Sequence, residues 1–146
     1  MKVSVFKPGS ESATLTPFQS IPPGPIMKSR WLRWNDHDIL YQDFTGCRSD
    51  LAALEGEVRA VDALITRQPR GSVRALADLT DTTASAGAVQ LFKHSASETR
   101  PFIERQALIG IHGMKRYAAQ TVALFAGQPM KVFDTREAAL DWLVSP

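Results

Sequence analysis

Chemistry-bearing residues gather at three places along this chain. In ALADLTDTTASAG, Ala75 to Gly87, the carboxylates Asp78 and Asp81 alternate with the hydroxyls of Thr80, Thr82, Thr83 and Ser85, just before a helical pattern resumes. A hydroxyl at a helix N-terminus can carry a phosphoryl group with physical consequence, because the dianion meets free amide donors and the positive end of the helix dipole. Thr82, Thr83 and Ser85 all qualify by position. The plainer account is that Ser85 caps the helix and the threonines fill a turn. Asp78 and Asp81 could join Asp43 in a carboxylate cluster at the carboxyl edge of a sheet, where α/β folds tend to bind ligands. No cation-loop spacing accompanies them, and no metal is expected. The third place is GIHGMKR, where Gly110 and Gly113 bracket His112 and are followed by Lys115 and Arg116. Backbone donors and basic side chains there could hold an anionic group or a partner, although the spacing matches neither a P-loop nor a dinucleotide fingerprint. A tight strand-to-helix turn with a solvated basic face is the simpler account. No nucleophile elbow ties Cys47, His94, His112 and the aspartates into a catalytic set, so a non-enzymatic protein without cofactor is expected.

A chain of 146 residues, 44% of them apolar, suffices for one buried core. The formal charge of +2 is unevenly placed: residues 1–30 carry four bases against one acid, and the remainder thirteen against fourteen. The basic surplus therefore belongs to the N-terminal segment, and no nucleic-acid footprint is expected on the domain. Cys47 is the only cysteine, which excludes an intramolecular disulfide and fits a reducing cytoplasm. No apolar run approaches the ~18 residues of a membrane span.

These residues need a scaffold, and hydrophobic periodicity supplies its outline. Residues 1–27 hold Pro8, Pro17, Pro22, Pro23 and Pro25 among serines and threonines, so a flexible segment is expected there, with KVSVF (2–6) able to dock as an edge strand. The domain proper spans 28–146. KSRWLRW (28–34), the turn NDHD (35–38) and ILYQDF (39–44) read as a hairpin. Ser49 or Asp50 caps a helix over 51–68, which directs Leu51, Leu54, Val58, Val61 and Ile65 inward and Glu55, Glu57, Arg59 and Asp62 elsewhere. A strand over 72–79, a helix over 85–98 with Val89, Phe92 and Ala96 on one face, and a strand near 106–111 follow. A helix over 113–126, a short strand over 130–134 and a last helix over 135–144 complete the order ββαβαβαβα. Asp134 or Thr135 caps that last helix, with Glu137 placed for a capping box with Asp134. Right-handed crossovers then predict a mixed sheet of about five strands, parallel apart from its first hairpin strand, with four helices.

That order, with DFTGC (43–47), QPRGSVRALADLTD (68–81), ALIGIHGM (107–114) and KVFDTREAALDWL (131–143), resembles a group of small bacterial proteins of unassigned function placed in the SpoIIAA-like α/β fold. Sulphate-transporter cytoplasmic domains and anti-sigma-factor antagonists, together the STAS domains, share that fold, and it is compared with the CRAL-TRIO lipid-transfer fold. The resemblance covers Arg30 to Val144. In the antagonists, the loop after a central strand carries an Asp-Ser pair whose serine is phosphorylated by a partner kinase. The corresponding place here is Asp78 to Ser85, where Asp81 is followed by Thr82 and Thr83, and Ser85 stands alone. The resemblance thus implies a regulatory or protein-interaction module with a protein partner.

A second reading is carriage of a small hydrophobic or lipid-like ligand. Met114, Tyr117, Thr121 and Phe125 make one helical stripe that Phe92 and Trp142 could complete, although at helical spacing such residues more often fill a core. Trp31 and Trp34 fall on opposite faces of a regular strand, and an exposed one would serve a homodimer or partner surface.

Overall fold

Asn35 and Asp36 both adopt positive φ, at 47° and 65°, as a two-residue hairpin turn requires, and Asn and Asp are the non-glycine residues that tolerate it best. This turn joins β1 (Arg30–Trp34) to β2 (His37–Asp43) with Trp34 opposite His37. The expected four-residue turn is therefore shortened and β2 starts two residues early, because the primed turn matches the strand twist. Residues 27–82, 85–111 and 130–146 are described in the computed structural model. The expected N-terminal segment, apart from Met27, and the helix over 113–126 lie outside them.

Asp50 caps α1 (Leu51–Ile65), accepting from the Ala53 amide at 3.0 Å. Chain reversal leads to β3 (Val73–Asp78), then to α2 (Ala86–Thr99), which Ser85 caps. A 3-10 turn at Arg100–Phe102, with Pro101 inside it, delivers the chain to β4 (Ile103–Ile109) three residues earlier than the apolar run suggests. β5 (Met130–Val132) precedes α3 (Arg136–Val144). The α3 cap is Thr135, whose hydroxyl accepts from the Ala138 amide at 3.1 Å, so of the two expected candidates it is Thr135 rather than Asp134 that holds the cap position. Three α-helices stand among the described residues, where four are expected over the whole chain.

The sheet order is β1-β2-β3-β4-β5. Its first pair is antiparallel and the others are parallel, the mixed pattern that was expected. Because β2, β3 and β4 follow one another in space, two crossovers of the same hand place α1 and α2 on the same face. There Leu54, Val58, Val61 and Ile65 meet Leu40, Val73, Ala75 and Ala77. The opposite face buries Leu32, Ile39, Leu76, Ala107 and Ile109 beneath Ala139, Leu140 and Leu143 of α3. Trp31 points into the first core and Trp34 rests half-buried on the second, its Nε1 donating to Asp141 at 3.3 Å. Neither tryptophan is the exposed contact residue that the sequence reading entertained.

Two positions on α1 depart from the simple stripe. Leu51 is 41% exposed and lies over Gly87 of α2, where a Cβ would meet its Cδ2 at 2.7 Å. Glu57 is buried, and its carboxylate accepts from the Lys28 amide, the Ser29 amide at 2.9 Å and the Ser29 hydroxyl at 2.7 Å. The Ser29 hydroxyl in turn accepts from the Asp43 amide at 2.9 Å, so one carboxylate fastens the start of β1 to α1 and to the end of β2. Asp62 bridges to α2 by accepting from the Ser95 hydroxyl at 2.6 Å. Burial raises its carboxyl above the ordinary 3.8, the Ser95 bond opposes this, and the nearby Glu98 charge adds to the rise.

Glu57→Ala strands two amides and a hydroxyl, and a loss of about 2–3 kcal/mol is expected in denaturant unfolding. Asp62→Asn keeps an acceptor for Ser95 without the charge. A carboxyl raised in the folded state favours folding most below its unfolded value and loses that contribution as pH climbs through its folded value. The stability of Asp62→Asn relative to the parent should therefore rise as pH climbs from 3.8. A relative stability that stays flat, or falls, across that range would contradict the assignment.

Candidate functional site

The carboxyl edges of β2 and β3 end in the same local device. Asp43 Oδ1 accepts from the Thr45 hydroxyl at 2.6 Å and the Thr45 amide at 3.1 Å. Asp78 Oδ1 accepts from the Thr80 hydroxyl at 2.6 Å and the Thr80 amide at 3.0 Å. An Asp followed two residues later by Thr turns the chain by satisfying its own donors. The two turns run side by side, with the Phe44 amide on the Asp78 carbonyl at 3.0 Å, the Gly46 amide on the Thr80 carbonyl at 2.9 Å and the Arg48 amide on the Asp81 carbonyl at 2.9 Å.

The carboxylate cluster that Asp43, Asp78 and Asp81 could have formed is thereby taken apart. Asp43 is held by Thr45 and by Lys28 Nζ at 3.6 Å, and Asp78 by Thr80 and the Tyr41 hydroxyl at 2.8 Å. Asp81, at a positive φ of 60°, turns outward and pairs with Arg48 at 3.2 Å. Among the described residues no group of three or more His, Cys, Asp or Glu side chains could hold a metal ion. Burial works to raise the Asp43 carboxyl, but the Thr45 donors and Lys28 outweigh it and hold it below its usual range. Tyr41 is pushed up to about 12 by burial and by its bond to the Asp78 carboxylate, so its hydroxyl stays protonated and donating.

The hydroxyls of the same loop divide sharply. Thr82 is 2% exposed, and its Oγ1 donates to the Phe44 carbonyl at 2.5 Å and accepts from the Cys47 amide at 3.1 Å. A phosphoryl group has no room there, which removes Thr82 as a modification site in the folded chain. Ser85 is exposed, and its Oγ accepts from the Ala88 amide at 3.2 Å at the start of the 14-residue α2. It lines a shallow hollow, open to solvent, with Arg48, Ser49, Asp50, Leu51, Leu54 and Ala88, where the N-termini of α1 and α2 converge. Thr83 lies outside the described residues.

Gly110 ends β4 with φ +79°, pressed so closely on Thr80 that a Cβ would sit 2.6 Å from its amide nitrogen. It therefore belongs to the same edge as Asp78 and Thr80 and serves close packing. His112, Gly113 and Lys115 lie outside the described residues, as does the helix that the apolar-ligand reading requires. Among the described residues no helix is long and apolar enough to cross a membrane. Sequence reasoning missed Tyr41, Arg30 and Arg136. The two guanidinium groups stack on the Tyr41 ring at 4.7 and 4.8 Å from its centroid. The pairing of Arg30 with Tyr41 follows from the hairpin register, whereas Arg136 arrives from a helix nearly a hundred residues away and leaves no local signal.

Thr82→Val keeps the shape of the side chain and strands the Phe44 carbonyl and the Cys47 amide. It is expected to cost about 2 kcal/mol in chemical unfolding, with Thr82→Ser recovering most of the loss. Equal stabilities for the Val and Ser variants would contradict the bonding described.

The geometry has counterparts among known proteins. No curated protein matches the chain. A solved structure of an uncharacterised protein of the DUF3478 family from Shewanella loihica PV-4, described as having a SpoIIAA-like fold, superposes with a TM-score of 0.59 at 18% identity, covering 85% of this chain and 99% of that one. At that identity the likeness speaks for the fold alone. The family model described as SpoIIAA-like matches residues 48–144, from the loop that launches α1 to the last residue of α3. With two thirds of its length matched, the chain belongs to the SpoIIAA-like family.

Proposed function

We propose that this protein is a non-enzymatic regulatory module that binds a protein partner through the surface where α1 and α2 begin, and that Ser85 is the residue whose modification controls the contact. One observation carries this reading: of the two described hydroxyls held for that role, Thr82 is locked beneath the surface while Ser85 stands exposed at a helix N-terminus. A phosphate on Ser85 would meet the first amides of α2 and the positive end of its dipole. Arg48, exposed and lining the same hollow, is held by Asp81 at 3.2 Å, and a phosphate would compete with Asp81 for that guanidinium. The hollow is shallow and open to solvent, which favours a surface contact over an enclosed ligand.

Peptide mass measurement on protein purified from its native host under several growth states tests this reading. Phosphate is expected on Ser85 and not on Thr82. A Ser85→Asp variant is expected to change capture of the partner relative to Ser85→Ala, and an unmodified Ser85 in every growth state would overturn the switch.

A further inference from the structure

Arginines that lose part of their water in this fold are otherwise given a carboxylate or a backbone carbonyl in return. Five described arginines are half-buried: Arg30, Arg33, Arg74, Arg105 and Arg136. Arg33 meets Asp38 at 2.8 Å and Arg74 meets Glu104 at 3.0 Å, while Arg105 donates to the carbonyls of Trp142 and Ser145 at 2.7 and 2.8 Å. Arg30 and Arg136 form no ion pair with any carboxylate among the described residues. Both are gathered on one ring, with their guanidinium carbons 4.7 and 4.8 Å from the centroid of Tyr41. That ring is fixed in turn, being 4% exposed and anchored through its hydroxyl to Asp78.

Stacking engages the flat face of a guanidinium rather than its in-plane N–H donors; Arg136 spends one donor on the Tyr41 hydroxyl oxygen, and the rest of its fork, with that of Arg30, can turn onto an oxyanion. Two partly desolvated cations held at one ring also repel each other, a cost that a bound anion relieves. The one carboxylate at hand is already committed, since Asp78 accepts from Thr80 through one oxygen and from Tyr41 through the other. Asp43, the other nearby acid, is paired with Lys28.

We infer that Arg30 and Arg136, held on Tyr41, form an oxyanion site for a phosphoryl group, carried either by a soluble ligand or by a lipid headgroup. The site lies on the α3 face of the sheet, apart from Ser85 on the α1–α2 face, and neither reading depends on the other.

Titration of sodium phosphate into the ¹⁵N-labelled full chain, at constant ionic strength held with chloride, follows the arginine Nε–Hε signals directly. Saturable shifts at Arg30 and Arg136 with one midpoint are expected, and that midpoint should weaken about tenfold or more in Arg30→Gln or Arg136→Gln. The exposed Arg67, Arg70 and Arg100 are expected to drift without saturating. The second arm is cosedimentation with phosphatidylcholine vesicles with and without phosphatidic acid. Saturable phosphate binding without vesicle binding identifies a soluble phosphoryl ligand. Vesicle binding that needs phosphatidic acid and both arginines identifies a headgroup. Uniform drift of all arginines together with no selective vesicle binding overturns the site, and because the parent chain alone gives that result, poor folding of a variant does not obscure it.

Discussion

Parallel strands end with their last amides and carbonyls facing the same way, and whatever follows must satisfy them. Here the loops after β2 and β3 solve the problem by continuing together, amide to carbonyl, from Phe44 on Asp78 to Arg48 on Asp81. The third strand joins through the Leu79 amide on the Ile109 carbonyl at 3.0 Å, with Gly110 thin enough to let Thr80 close over it. Thr82 then locks the pair from beneath. Because this zipped edge fixes where the chain leaves the sheet, it also fixes where α1 and α2 begin. Their N-termini open side by side as a direct result, which is what makes Ser85 and Arg48 neighbours of one hollow.

The two faces of the sheet spend polar groups differently. On the α1–α2 face Glu57 and Asp62 tie helices to the strand start and to each other, and a buried amide pair, Gln106 to Gln42 at 2.9 Å, crosses the sheet. Each of these groups has its partners within the protein, as burial demands. On the α3 face Arg105 ends α3 by taking up its final carbonyls, whereas Arg30 and Arg136 rest on an aromatic ring. The first kind of arrangement holds the fold together. The second gathers two cations on one ring with no carboxylate paired to either among the described residues.

The element order and the parallel sheet were legible because apolar spacing reports burial directly: Leu54, Val58, Val61 and Ile65 repeat at helical intervals and are all buried. Caps were legible where one side chain serves its own helix, as Asp50 and Ser85 do. The same logic failed where local rules tied. Asp134 and Thr135 both suit a cap, and Thr135 holds the position because its hydroxyl reaches the Ala138 amide. Glu57 reads as solvated from its place on the helix, and only the return of the chain at Lys28 and Ser29 makes it a buried clamp. The three aspartates at the sheet edge share a location but not a site, because each meets a closer donor first.

By itself the sequence determined the period of each element, the punctuation between elements and the family to which the whole belongs. Those properties depend on residues within a few positions of one another, where backbone geometry is the same in every context. The tertiary structure alone decided which hydroxyl is buried and which exposed, which carboxylate clamps and which only turns, and that Arg136 shares a ring with Arg30. These outcomes depend on groups far apart in the chain, and no local pattern encodes the distance at which two such groups come to rest.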